Sequence, residues 1–198
     1  MAISSGFSPV AEEDERRAAE ILGAELGPGV HFSLSRELGR IGQLARENAT
    51  IINAALRDLA TAIVESFAKS LAEVSLTAPF FLSQNDGTLM DVDLARAYPV
   101  ATFASGPTNS MRGAAFLSGL GDCAVVDVGG TTADVGVLAG GFPREAAGES
   151  EAAGTRTNFL IPDVLSLGIG GGSLVSADGE TAPLGRLPAH RGGAGRRW

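Results

Sequence analysis

Ala124-Val125-Val126-Asp127-Val128-Gly129-Gly130-Thr131-Thr132-Ala133-Asp134-Val135-Gly136-Val137-Leu138 is the stretch whose reading decides the fold. An apolar strand ends in Asp127, Gly129 and Gly130 turn the chain, and a second apolar strand runs through Val135, Val137 and Leu138 to a Gly140-Gly141 turn. Glycine lets main-chain amides approach a phosphate without a Cβ in the way, and the Thr131 and Thr132 hydroxyls add donors that match phosphate oxygens. Asp127 and Asp134 bracket the turn, and carboxylate oxygens are what Mg²⁺ prefers while it keeps several waters and bridges to phosphate. An ordinary hairpin flanked by solvated aspartates fits the same residues taken alone. A second glycine cluster, Leu167-Gly168-Ile169-Gly170-Gly171-Gly172-Ser173, follows roughly 40 residues later and favours the phosphate clamp.

Working outward toward the N-terminus, Ser105-Gly106-Pro107 opens a helix over Thr108 to Leu120, kept slim at Gly113, Ala114 and Ala115 for close packing on a sheet or a ligand. Its N-terminus offers an anion a seat, or is simply a strand-to-helix turn. Asp91 to Ala97 forms a short helix. Pro79-Phe80-Phe81-Leu82 reads as a buried strand, and Ser83 to Thr88 as the polar turn leaving it, with Asp86-Gly87 suited to positive φ. From Gln43 to Ala78 there is neither glycine nor proline, and Ile52, Leu56, Leu59, Ile63, Phe67, Leu71 and Val74 recur at spacings of three and four. That is one long amphipathic helix, or two end to end, on the order of 45 Å at 1.5 Å per residue. Arg46, Glu47, Asn48, Thr50 and Asn53 near its start form a cleft-facing cluster or a solvated helix end. Val30, Phe32 and Leu34 alternate with His31 and Ser33 as a short strand, with His31 a strand-face residue. Ser8-Pro9 caps a first helix with Glu12, Glu13, Asp14 and Glu15 in its first turn and Ala18, Ala19, Ile21, Leu22 and Leu26 as its apolar side, stopped by Gly27-Pro28-Gly29.

Composition sets the outer bounds. The 198 residues allow one domain or one lobe of something larger, and 44% hydrophobic against 19% charged residues provides material for a core. A single cysteine, Cys123, and two histidines, His31 and His190, exclude an intrachain disulfide and cysteine or histidine metal cages, so a metal must be held by oxygen. The one lysine, Lys69, follows no glycine-rich loop, which excludes a P-loop of the GxxxxGK type. No apolar run reaches the roughly 18 residues of a membrane span, and no basic n-region with a following apolar stretch opens the chain, so the expected compartment is the cytoplasm. A net charge of -8 argues against a basic nucleic-acid groove. All acidic residues lie at or before Glu180, whereas Arg186, Arg191, Arg196 and Arg197 fall beyond it.

The ordered motifs resemble a known family. Asp127 to Asp134 is similar to a phosphate-binding hairpin of the actin, hexokinase and heat-shock chaperone ATPase superfamily. More narrowly, Arg46 to Leu56, Ser83 to Met90, Ser105-Gly106-Pro107, the hairpin, and Gly168 to Ser173 stand in the order found in the hydantoinase A, 5-oxoprolinase and acetone carboxylase family. The resemblance spans about residues 30 to 180. It implies an α/β, ribonuclease-H-like (actin-like ATPase) lobe, a mixed sheet flanked by helices that include one long helix. It also implies ATP and Mg²⁺ as cofactors and a cyclic amide, 5-oxoproline or hydantoin-like, as the substrate that phosphorylation activates for ring opening. In that reading Gly129, Gly130, Thr131 and Thr132 cradle phosphate oxygens, and Gly170, Gly171, Gly172 and Ser173 form a second turn against the nucleotide. Asp127 holds Mg²⁺, and Asp134 orients the loop or backs the metal, so that Asp127 and Asp134 are the catalytic acids.

Two departures qualify what carries over. Family members begin with another DxGGT-type hairpin in a separate lobe, and this chain starts with an acidic helix. Thr108-Asn109-Ser110-Met111-Arg112 replaces the glycine-rich continuation of the family's Ser-Gly-Pro. The expected organisation is an acidic helical segment at 1–29, a partial ATPase core at 30–183 and a structureless Arg/Gly/Pro-rich tail at 184–198, out-of-frame or foreign in origin, with a basic interaction tail as the second reading. The expected activity is a partial ATP-dependent cyclic amide hydrolase without turnover by itself; a non-catalytic nucleotide-binding or subunit-assembly module is the alternative, and a sugar or acetate kinase a third. The expected partners are the cyclic amide, a hydantoinase B-like subunit and a second copy of the chain, with no nucleic acid or membrane.

Overall fold

The computed structural model describes residues 1–39, 41–146, 150–152, 154–158, 161–174 and 185–186. In chain order the elements are β1 (Ala2–Ile3), α1 (Glu12–Leu26), β2 (Ser33–Leu34), α2 (Ser35–Leu38), α3 (Gln43–Glu73), β3 (Leu82–Ser83), β4 (Leu89–Met90) and α4 (Val92–Ala97). A 3₁₀ turn (Pro99–Thr102) leads to α5 (Ser105–Ser118), followed by β5 (Cys123–Val128), β6 (Ala133–Ala139), β7 (Phe142–Pro143), β8 (Ser150–Ala152), β9 (Thr155–Thr157), β10 (Val164–Leu167), β11 (Ser173–Leu174) and β12 (Gly185–Arg186).

The main sheet has the order β10-β6-β5, with β7 continuing along β6, and every pairing in it is antiparallel. The mixed sheet flanked by helices is therefore corrected: the described parallel pair is the small β1-β2 ladder, and α5 packs on one face of the main sheet only. β5 and β6 are antiparallel because the 129–132 turn joining them is far too short for the crossover that parallel neighbours need. Gly136 is the contact point with α5. A Cβ there would lie 2.6 Å from Cε of Met111, so the helix approaches closely because the residue is glycine.

The long helix forms as its uninterrupted sequence predicts, but what it buries differs. Ala45, Arg46, Ala49, Thr50, Asn53 and Val64 are its buried residues, whereas Leu59, Ile63, Phe67 and Val74 of the apolar stripe are exposed. The cleft-facing or solvated reading of Arg46, Thr50 and Asn53 is thus overturned. Arg46 Nε donates to Ser35 Oγ at 3.0 Å and its Nη2 to the Ser5 carbonyl at 2.7 Å. Asn53 Nδ2 donates to Ser33 Oγ at 3.0 Å and to the Ala97 carbonyl at 2.9 Å, and its Oδ1 accepts from Val100 N–H at 3.2 Å. This polar seam ties the N-terminal segment, β2 and the 97–100 turn onto α3. Asn48, next to it, donates to the Arg156 carbonyl of β9.

Three boundaries move for local reasons. The first helix starts at Glu12 with Ala11 at its cap, because the Ser8 hydroxyl is taken by Ser35 Oγ 3.0 Å away, and its buried residue is Glu15 rather than its apolar side. The strand read at 30–34 shrinks to Ser33–Leu34, which pairs with β1, and His31 is exposed. The buried strand read at Pro79–Leu82 is reduced to Leu82–Ser83; Phe81 is 56% exposed, and Phe80 instead meets Phe67 with ring centroids 5.2 Å apart. Of the expected structureless tail, Gly185–Arg186 pair with Ser173–Leu174, and residues 184 and 187–198 lie outside the described residues.

Candidate functional site

The hairpin forms with the register that the sequence dictates. Asp127 pairs with Asp134 and Val128 with Ala133, leaving Gly129 to Thr132 as a four-residue turn closed by Gly129 N–H to the Thr132 carbonyl at 2.8 Å. Opposed residues of an antiparallel pair project from the same face, with Cβ atoms about 4.5–5.5 Å apart, so the two carboxylates share one side of the sheet. That side is the α5 side, since the alternation places Asp127 and Asp134 with Gly136 and the buried Leu138. Like charges so opposed are destabilising unless something positive answers them. Asp134 Oδ1 accepts from Ser166 Oγ at 2.5 Å, a positioning residue that sequence reading missed; its signal is the Val-Leu-Ser-Leu alternation at 164–167.

The second glycine cluster closes on the first. Gly171 N–H donates to the Gly129 carbonyl at 2.8 Å and Gly172 N–H to the Gly130 carbonyl at 3.0 Å. Ser173 folds the cluster on itself, donating N–H to the Gly170 carbonyl at 2.8 Å and accepting Gly170 N–H at its Oγ at 3.1 Å. A Cβ on Gly170 would fall 2.6 Å from Thr131 N and 2.7 Å from the Gly129 carbonyl oxygen, so only glycine allows this docking. All ten residues expected at the site are therefore together: Asp127, Gly129, Gly130, Thr131, Thr132, Asp134, Gly170, Gly171, Gly172 and Ser173.

Gly130 is different. It has no positive φ, and a Cβ on it would meet nothing within 4 Å, so neither backbone geometry nor packing calls for glycine. The main-chain N–H groups of Gly130, Thr131 and Thr132 and the two threonine hydroxyls have no hydrogen-bond partner among the described residues, and the turn is exposed. An open glycine, unengaged amides and a pair of carboxylates are the donor set a magnesium polyphosphate takes. Among the described residues no three His, Cys, Asp or Glu side chains cluster, so a metal here would draw its other ligands from phosphate and water, as Mg²⁺ commonly does.

The helix α5 packs on this face of the sheet, with Met111 against Gly136. Its Arg112 guanidinium donates to the Gly141 carbonyl and lies 4.0 Å over the Phe142 ring, at the opposite end of the hairpin from the 129–132 turn. The first turn holds Ser105-Gly106-Pro107, with Ala104 before it in the left-handed region at φ 58°. Thr108 Oγ1 donates to the Asn85 carbonyl at 3.0 Å and so joins α5 to the polar turn between β3 and β4. In that turn Gly87 has φ 87°, as expected, and Asp86 Oδ1 accepts from Thr88 N–H and Oγ1.

No helix among the described residues is long and apolar enough to cross a membrane. The family model for hydantoinase/oxoprolinase matches residues 46–194, from inside α3 into the segment read as a tail. An uncharacterized protein of Methanocaldococcus jannaschii is 28% identical over 191 residues, and the alpha subunit of caprolactamase from Pseudomonas jessenii is 26% identical over 182. These matches cover 88% and 90% of this chain but only 28% and 26% of the relatives, so the chain spans about a quarter of their length. A nucleotide-free acetone carboxylase structure superposes with a TM-score of 0.65 at 22% identity, covering 94% of this chain and 27% of that one, a likeness of fold. With most of its length under one family model and its motifs in that family's order, the chain belongs to the hydantoinase/oxoprolinase family.

Proposed function

We propose that the chain is the nucleotide-binding part of an ATP-dependent hydantoinase/oxoprolinase-type hydrolase, within an actin-like ATPase fold, acting on a cyclic amide such as 5-oxoproline or a hydantoin. The observation that carries this reading is the turn at 129–132, whose free amides and hydroxyls stand beside the opposed Asp127 and Asp134 and are braced from behind by Gly170 to Ser173. Bound Mg-ATP supplies a phosphoryl group that activates the amide oxygen of the substrate. The chain's own part is positioning. Gly130, Thr131 and Thr132 hold phosphate oxygens through fixed donors, which need no reorganisation as charge shifts. Asp127 holds Mg²⁺, and Asp134, pinned by Ser166, keeps the second carboxylate aligned with it. A cytoplasmic setting and a hydantoinase B-like partner subunit accompany this reading.

Calorimetry with Mg-ATP and Mg-ADP tests it. Gly130→Val adds bulk where no protein atom stands, so it should leave melting unchanged and weaken nucleotide binding by about tenfold or more, as should Asp127→Ala. Full affinity in both variants would sink the reading. Absence of nucleotide binding by a folded wild-type chain would favour an assembly module, which the bare apolar face of the main sheet supports.

A further inference from the structure

Val64 is the last buried residue of α3, and Glu65 to Glu73 carry the helix roughly 14 Å past it at 1.5 Å per residue. That half of the helix has a shaped surface. Leu59, Ile63 and Phe67, each more than half exposed, recur every fourth residue as a ridge, and Ala62, Ser66 and Ser70 lie beside them as a furrow of small side chains. Rows four residues apart are the ridges and grooves by which one helix packs into another. Ile63 also borders an apolar pocket of about 110 Å³ that Leu56 and Leu59 form with Leu82, Ala95 and Pro99. Phe80, two residues before Leu82, stands against Phe67 with ring centroids 5.2 Å apart, so the 80–82 segment walls the ridge as well as the pocket. The other edge is acidic. At roughly 100° per residue Asp58, Glu65 and Lys69 fall outside Ala62 and Glu73 closes the end; all four are exposed and form no ion pair among the described residues.

We propose that this groove receives a basic amphipathic helix of a second polypeptide. One large apolar side chain fills the pocket, the following turns cross Ile63 and Phe67, and lysine or arginine lines the edge that faces Asp58, Glu65 and Glu73. Recognition of a helix in a groove reads apolar anchors at i, i+3 or i+4 and i+7, which a pocket continued by a ridge accommodates. Anchors seated in pockets carry most of the binding energy of such a contact, and the charged edge selects the partner. The furrow of Ala62, Ser66 and Ser70 lets the incoming backbone come close. Charge decides between occupants. A second copy of α3 would bring the same edge, three acids against one lysine, onto this one and be repelled, whereas a basic helix is attracted. The groove is apart from the glycine turns, so the proposal does not depend on nucleotide binding.

Fluorescence anisotropy on the 198-residue chain tests it with a labelled model helix of about 18 residues, leucines at i, i+3, i+4 and i+7 and lysines elsewhere, and with a counterpart in which glutamate replaces lysine. The leucine/lysine helix should bind, and the leucine/glutamate helix should bind about tenfold more weakly or worse. Ile63→Asn and Phe67→Asn, at exposed positions, should each weaken the leucine/lysine helix about tenfold or more. If either variant does not fold, Ser66→Arg, which fills the furrow from an exposed position, should have the same effect. Glu65→Lys combined with Glu73→Lys should reverse the preference between the two helices. No binding by the folded wild-type chain, equal binding of both helices, indifference to the folded groove variants, or an equal loss in Val126→Lys on the main sheet would overturn the proposal. So would a sedimentation mass that Phe67→Asn lowers, since the groove would then belong to a second copy.

Discussion

Glu15 shows how much a single buried side chain organises here. It is 1% exposed and accepts from Ser35 Oγ, Arg36 N–H and Ser5 N–H, so α2 and the N-terminal segment converge on one carboxylate. Burial is the largest single influence on its pKa and pushes it up, but hydrogen bonds from Ser35, Arg36, Ser5 and Ser8 together outweigh it and hold the group below its ordinary value of 4.5. A lowered native pKa means that the carboxylate's contribution is complete above the unfolded value and is lost as pH falls through the native one. Glu15→Gln should cost about 1–3 kcal/mol at neutral pH. In urea unfolding the gap between wild type and variant should close as the solution is acidified below about pH 4.5. A gap that stays constant to pH 3 would show that the charge is immaterial. The sequence displayed Glu15 as one of four acids in a first turn; that it alone points inward depends on Ser35, 20 residues away.

The two glycine turns differ as elements although their sequences look alike. Gly170 is required by its neighbours, with Thr131 N and the Gly129 carbonyl in the space of a Cβ, whereas Gly130 faces open space. Gly170→Ala should therefore force the 170–173 loop off the hairpin and break the bonds from Gly171 and Gly172. Hydrogen exchange at those two amides should rise by an order of magnitude or more, since about 1–3 kcal/mol of local protection is lost. Unchanged protection in the folded variant would contradict the docking described here. Gly130→Val should leave the same amides untouched. A second glycine turn set against the nucleotide was an expectation from the family resemblance, and hairpin register followed from strand alternation. Ser166 and the packing of Gly170 needed the strand β10 in place.

At the scale of the molecule, the consequence of one-sided packing is bare apolar surface. The face of the main sheet opposite α5 carries Val126 at 60%, Val128 at 62% and Leu165 at 60% exposed, with Val137 and Leu167 beside them. Burying such residues is worth roughly 1.5–3 kcal/mol each, and contiguous patches of this kind mark contact surfaces. Self-association is the expected result. Sedimentation should give a mass above 20.1 kDa at high concentration, and Val126→Lys with Leu165→Lys should return it to the monomer value. A wild-type monomer across the whole range would dismiss this expectation. The long helix adds Leu59, Ile63 and Phe67, each more than half exposed. An apolar stripe at helical spacing was visible in the sequence, but its period states only that one face is apolar and not that anything covers it.

Read by itself, the sequence determined what short-range chemistry decides: the 31-residue α3, the Asp127 to Asp134 hairpin with its register, the positive φ at Gly87 and the absence of material for a disulfide or a cysteine cage. These follow from the period of apolar residues, from glycine's freedom and from residue counts, none of which refers to distant parts of the chain. Tertiary structure alone decided that Arg46, Thr50 and Asn53 are buried, that Asn85 lines a cavity, and that α5 covers a single face of the sheet. Burial and pairing depend on groups brought from 20 to 50 residues away, as Asn53 meeting Ser33 and Val100 shows, and local pattern holds no record of such partners.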